Sequence, residues 1–112
     1  MIHQAVILAA GEGKRMKKTI NDPSIINIPK PLLKIDNIAI IEHSIKNLST
    51  FGIDIAVIIN PKDEKVFREN LKEYDIKYYY QREPLGTANA LYSAKDFIKD
   101  DYFLVMMGDD LS

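Results

Sequence analysis

Four short segments carry residue types at spacings that could do chemistry. The first is Leu8-Ala9-Ala10-Gly11-Glu12-Gly13-Lys14-Arg15-Met16. Two glycines let a backbone approach a ligand closely and turn its N–H groups toward an anion, and Lys14 and Arg15 add positive charge beside them. Met16 stands where a dinucleotide fingerprint has its third glycine, and the Gly-Lys-Ser/Thr of a P-loop is absent. Taken alone, the segment reads equally as a phosphate loop and as a tight turn after a strand. The second is Pro29-Lys30-Pro31-Leu32-Leu33, where flanking prolines are expected to keep Lys30 extended and to present its ammonium from a stiff backbone. A phosphate partner and plain solvation are both open for it.

The third segment runs from Gln81 through Pro84-Leu85-Gly86-Thr87-Ala88. The Gln81 carboxamide can both donate and accept, as reading a base edge requires. Gly86 permits close approach, and Thr87 reads as the cap of a following helix; a capped loop would explain both of these but not Gln81. The fourth is Gly108-Asp109-Asp110. Hard carboxylate oxygens at the end of a buried strand suit Mg²⁺, which takes one or two carboxylates and otherwise phosphate and water. A turn is the competing reading.

The elements that must position these segments follow from hydrophobic periodicity. Continuous apolar runs predict strands over Gln4–Ala9, Ile55–Ile59, Ile76–Tyr80 and Tyr102–Met107, the third more polar and nearer an edge, the fourth apolar enough to be central. Apolar residues at helical spacing predict helices over 39–50 (Ile41, Ile45, Leu48), from Asp63 onward (Phe67, Leu71, Tyr74), and over Thr87–Lys99 (Ala88, Leu91, Ala94, Ile98). Strands alternating with helices imply parallel pairing through right-handed crossovers. The expected fold is α/β, a Rossmann-like three-layer αβα arrangement with a mostly parallel sheet in the order 3-2-1-4. That order makes the first and fourth strands neighbours that leave in different directions, so the glycine loop and Asp109 face each other across the switch-point crevice. His43 and Tyr78, Tyr79 and Tyr80 read as structural, on a helix flank and a half-exposed strand.

Composition narrows the chemistry further. The 112 residues are 46% hydrophobic and 28% charged, with 15 Lys+Arg against 16 Asp+Glu and a net charge of −1. No basic field supports nonspecific binding to nucleic acid or anionic membrane. The absence of Cys removes disulfides, thiolate metal sites and cysteine nucleophiles, and His3 and His43 are too few for a multi-histidine metal site. No apolar run reaches the ~20 residues of a bilayer span, and Met1-Ile2-His3-Gln4 lacks the basic start of a signal peptide. A cytoplasmic protein is expected.

In order and spacing, Leu8-Ala9-Ala10-Gly11-x-Gly13-x-Arg15-Met16, Pro29-Lys30-Pro31-Leu32-Leu33, Gln81 with Pro84-Leu85-Gly86-Thr87-Ala88, and Gly108-Asp109 together resemble the sugar-phosphate nucleotidyltransferases. These enzymes join a nucleoside triphosphate to a sugar 1-phosphate and release pyrophosphate. The resemblance implies that Leu8, Ala9, Ala10, Gly11, Gly13 and Thr87 bind the nucleotide, and that Gln81 and Gly86 read its base. It implies that Arg15 grips the triphosphate, that Lys30 contacts the phosphates around the α-phosphorus, and that Asp109 holds Mg²⁺. The nucleotide would be UTP or dTTP, and the partners this triphosphate and a sugar 1-phosphate, with neither nucleic acid nor membrane; a homo-oligomer is compatible. The stretch between Arg15 and Lys30 is several residues longer than is usual in the family. Because the family's catalytic domains are about twice as long, residues 1–112 are expected to be the N-terminal nucleotide-binding half of one, inactive alone.

The implied reaction is in-line attack of a sugar-phosphate oxygen on the α-phosphorus. Two anions must meet, so catalysis is charge neutralisation and alignment, and an already ionised phosphate nucleophile needs no general base. Three other readings stand beside it, of which a dinucleotide-dependent oxidoreductase is disfavoured by the missing third glycine. A cytidylyltransferase acting on a non-sugar alcohol phosphate shares the glycine loop and a Pro-Lys segment. A nucleotide-binding module without turnover would need only the binding residues.

Overall fold

Strand β1 (Gln4–Leu8) is buried along its whole length, which is why it reads as an unbroken apolar run rather than an alternation. The computed structural model describes residues 2–11, 28–83 and 85–109, together with the backbone of Arg15 and Met16. Along the chain follow β2 (Arg15–Met16), β3 (Ile28–Pro29), β4 (Lys34–Ile35), β5 (Ile38–Ala39) and helix α1 (Ile40–Thr50). Then come β6 (Asp54–Ile59), α2 (Glu64–Asn70), β7 (Ile76–Tyr80), α3 (Thr87–Ser93) and β8 (Leu104–Met107).

The main sheet has the order β7-β6-β1-β8, all pairs parallel, with Val6 opposite Ala56 on one side and Val105 on the other. Among these four longer strands this is a 3-2-1-4 arrangement. The detail that differs from expectation is a pair of small antiparallel ribbons, β2–β3 and β4–β5, which lie outside that sheet.

The two-residue period of the strands sorts the core into two layers. Ala5, Ile7, Ile55, Val57 and Ile59 face α1 and α2, packing with Ile41, Ile45, Leu48 and Phe67. Val6, Leu8, Ala56 and Ile58 face the other way, onto Ala90, Ala94 and Phe97. Helices therefore cover both faces, as a parallel sheet demands, and the three-layer Rossmann-like architecture is present.

Several boundaries move. β8 begins at Leu104, because Tyr102 is largely exposed and Phe103 makes no ladder pair. Among the described residues β8 is an edge, with Val105 and Met107 42% and 49% exposed, the position the order 3-2-1-4 gives it. α3 ends at Ser93 and continues only as turns. The segment from Asp63 is entered through a 3₁₀ turn over Pro61–Asp63 before α2 starts.

Gln4, the polar residue of β1, is buried and fully engaged. Its Nε2 donates to the Phe97 carbonyl at 2.6 Å, and its Oε1 accepts from the amides of Lys99 and Asp100 at 2.9 and 3.2 Å. It clamps the segment after α3 to the start of the first strand. No helix among the described residues is long and apolar enough to cross a membrane.

Candidate active site

The carboxyl ends of β1, β6, β7 and β8 define one end of the sheet, and the exits of β1, β8 and β7 are each held by a last backbone hydrogen bond. Ala9 N donates to Ile58 O at 2.8 Å, Gly108 N to Leu8 O at 2.8 Å, and Gln81 N to Ile59 O at 2.9 Å. Three of the four chemically interesting segments thus begin one residue past a strand, at a common edge.

Between the ends of β1 and β8 lies a cavity of about 40 Å³, a few water-sized volumes, that opens to solvent. Leu8, Ala9, Gly11, Lys30, Asp63 and Asp109 line it, with Pro29, Pro31 and Met107. Lys30 Nζ stands 4.0 Å from Asp109 Oδ2, the lysine side chain 41% exposed and the aspartate 18%. A cation and a carboxylate from opposite ends of the chain therefore meet beside the Ala9–Gly11 backbone. At that distance and exposure the attraction is modest, so both groups remain available to a charged ligand.

Close approach at Gly108 sets this geometry. A Cβ there would lie 3.2 Å from Ala9 Cβ and from Leu8 O, and 3.3 Å from Pro31 Cγ. The glycine lets β8 exit against β1 and against the Lys30 segment at once. Lys30 itself is not extended as the flanking prolines suggested. It opens a 3₁₀ turn, Lys30–Leu32, closed by Leu33 N donating to Lys30 O at 3.1 Å. The fixed φ of Pro31 suits the turn as well as it suits extended chain, and the turn buries Pro31 and Leu32 while leaving the lysine outward. Pairing of Arg15 with Pro29 in the β2–β3 ribbon brings the backbone after the glycine loop alongside Lys30. Gly13 and the side chain of Arg15 lie outside the described residues.

Gln81, Gly86 and Thr87 form a second group, not part of that cavity wall. Gln81 is buried, 8% exposed; its Nε2 donates to Asn89 Oδ1 at 2.9 Å and to Gly86 O at 3.4 Å. Its donor side is thus spent on shaping the loop. Thr87 is not the helix cap. Gly86 holds the N-cap position at φ 97°, ψ 169°, a region essentially reserved for glycine, and its carbonyl accepts from Ala90 N at 3.1 Å. Thr87 is the first helical residue, and exposed.

A model of the nucleotidyl transferase family matches residues 4–112. The chain belongs to that family. Over 108 residues it is 39% identical to the bifunctional protein GlmU of Methanococcus maripaludis strain C7, an alignment spanning 94% of this chain and 24% of that protein. It is 34% identical to the UTP–glucose-1-phosphate uridylyltransferase AglF of Haloferax volcanii, across 96% of this chain and 44% of the relative. The chain therefore spans a quarter to under half the length of these relatives. Among solved structures, HddC from Yersinia pseudotuberculosis complexed with GMP-PN superposes with a TM-score of 0.74 at 26% identity, over 96% of this chain and 48% of that one. The inositol-1-phosphate CTP transferase of T. maritima, 17% identical with a TM-score of 0.75 over 96% of this chain and 44% of that one, shares the fold.

Two residues of this site carried no sequence signal. Asp63 is buried on the cavity wall, although in sequence it reads only as the first turn of a helix. Asn89 partners Gln81 from the first turn of α3, a position where a polar residue is unremarkable.

Proposed function

We propose that the protein transfers a nucleoside monophosphate from a nucleoside triphosphate, UTP or dTTP, to a sugar 1-phosphate, giving a nucleotide-sugar and pyrophosphate. The observation that carries this is the convergence of Lys30 and Asp109, 4.0 Å apart, beside the Ala9–Gly11 backbone at the strand ends. A cation, a carboxylate and close-approaching backbone amides are what two meeting phosphates require. In this reading Arg15 and Lys30 offset charge on the triphosphate, and Leu8, Ala9, Ala10, Gly11 and Gly13 take the nucleotide's near side. Gln81 and Gly86 belong to the loop that faces the base, and Thr87 opens the helix behind it.

Asp109 has the donor chemistry for Mg²⁺, a partly exposed carboxylate opening into the cavity. Mg²⁺ takes one or two carboxylates and completes its shell with phosphate oxygens and water, and in this reading Asp109 is one of two such carboxylates. Bound there, the metal would supply charge neutralisation between the two phosphate groups. Lys30 then has a second role, since an ammonium at 4.0 Å balances the Asp109 carboxylate before nucleotide arrives.

The test is a product assay on the full-length protein with a panel of sugar 1-phosphates and labelled UTP, dTTP, CTP and GTP. Nucleotide-sugar from UTP or dTTP supports the reading. Product only with CTP and a non-sugar alcohol phosphate would make it a cytidylyltransferase. Nucleotide binding with no product from any pair would make it a binding module.

A further inference from the structure

Resting on the reading that the 81–86 loop faces the nucleobase, we propose that Asn60 is a positioning residue coupling that loop to the phosphate-facing cavity. Asn60 follows β6 directly, and its side chain is used at both ends. Its Oδ1 accepts from Lys62 N at 3.1 Å, and its Nδ2 donates to the carbonyl of Arg82, the residue after Gln81, at 3.1 Å. Its own carbonyl accepts from Asp63 N at 2.9 Å. One residue thus shapes the turn that puts Asp63 on the cavity wall and ties it to the loop that begins with Gln81.

The need for it lies in the strand ladder. With Gln81 N bonded to Ile59 O, the next rung of a parallel pair would come from the amide of residue 61 to the Gln81 carbonyl. Residue 61 is proline and has no N–H. The backbone ladder therefore stops at the point where the loop needs support. The Asn60 carboxamide supplies the next contact from a side chain instead, one residue further along, at Arg82. A simple cap needs only an acceptor, for which Asp and Ser serve about as well as Asn. The donor half of Asn60 is superfluous to capping, and it points at the other segment.

That division makes the test selective. Asn60→Ser and Asn60→Asp both keep an acceptor for Lys62 N, but the ionised Asp carboxylate has no proton for Arg82 O, and the single, shorter-reaching Ser hydroxyl does not span both partners as the two ends of the carboxamide do. In the full-length protein each is expected to raise KM for the preferred triphosphate about fivefold, the worth of one net hydrogen bond. Each should also narrow discrimination among UTP, dTTP, CTP and GTP, with kcat within twofold and the melting temperature little changed. Where no triphosphate is turned over, calorimetric nucleotide affinity replaces KM. Gln81→Ala is run in parallel. If it blurs base discrimination while both Asn60 variants match the unaltered protein, Asn60 is only a cap and the proposal fails. If none of the three affects base preference, the base-facing reading of the loop fails and this inference with it. A loss confined to kcat also overturns it, because that would place Asn60 with the reacting groups.

Discussion

Replacing Gly108 with alanine tests whether close packing at the exit of β8 aligns Lys30 with Asp109. The added methyl would sit 3.2 Å from Ala9 Cβ and Leu8 O and 3.3 Å from Pro31 Cγ. None of these is the loose end of a flexible side chain: one is a backbone oxygen, one a proline ring carbon, one the β-carbon of a buried residue. Each must yield by a few tenths of an ångström, and Leu8 O is also the acceptor of Gly108 N at 2.8 Å. Overpacking of this kind costs about 1–3 kcal/mol, and for a domain of this size that lowers the melting temperature by roughly 4–12 °C. The same displacement moves Asp109 away from β1 and pushes on the turn that carries Lys30. Transfer activity should therefore fall by about tenfold or more, since misplacements near 1 Å can cost about a hundredfold. Gly52→Ala is the control. Gly52 has φ 69° with nothing within 4 Å of a new Cβ, and it precedes β6, at the opposite end of the sheet. Its left-handed conformation makes alanine cost about 1–2 kcal/mol, but activity per folded molecule should not change. Thermal melts and the labelled-triphosphate assay on both variants decide the matter. If Gly108→Ala keeps full specific activity, alignment by close packing at this point is wrong.

Other perturbations probe different parts of the molecule. Lys30→Ala should lower turnover by about 10²–10³, the scale for losing a preorganised charge-stabilising group, while a urea titration shows less than about 1 kcal/mol of lost stability, since the lysine is 41% exposed and its ion pair is long, at 4.0 Å. Gln4→Ala strands the Phe97 carbonyl and the amides of Lys99 and Asp100 and should lower stability by about 3 kcal/mol in the same titration. The Tyr74 hydroxyl, held to Glu42 at 2.9 Å, has its pKa pushed up to about 12 by burial, by that hydrogen bond, and by the charges of Glu42 and Glu73. A raised pKa favours the protonated phenol in the folded state. Its contribution is therefore complete below pH about 10 and is lost as pH climbs toward 12. Tyr74→Phe should flatten that part of the stability–pH curve, and a curve unchanged from the parent would remove Tyr74 as its cause.

Much of the fold was legible because its pattern is enforced over several residues. β1 and β6 are covered on both faces, so they had to be continuous apolar runs, and the helices had to show apolar residues at a spacing of three to four. What escaped was short. The β4–β5 ribbon has two residues per strand, too few for any period, and is made by the turn Asp36-Asn37, with φ 54° and 69°. Paired positive φ values are the mark of a type I′ hairpin, and Asp and Asn are among the residues that tolerate them. That pair was the available signal. The cap of α3 misled for a different reason. Hydroxyl residues are the usual caps, but backbone at φ 97° admits glycine, so Gly86 took the position and Thr87 moved inside.

The candidate site divides along the same physical line. Lys30 and Asp109 could be named as candidates because charged side chains announce themselves by type, and the sheet order brings the ends of β1 and β8 together. Asp63 and Asn60 could not, because nothing in Asn60-Pro61-Lys62-Asp63 distinguishes a turn on the surface from one folded against the cavity. The difference is made by where each ladder ends. Ala9, Gly108 and Gln81 each donate one final backbone bond to a neighbouring strand, at 2.8, 2.8 and 2.9 Å, and each begins the segment that carries site residues. Those bonds fix the starting points of three loops relative to one another to within the tolerance of a hydrogen bond, whatever the loops' own sequences. At β7 the proline after Asn60 ends the ladder early, and there a side chain supplies the next tie, to Arg82. Charge can therefore be read residue by residue, whereas alignment at this site is a property of the strand ends.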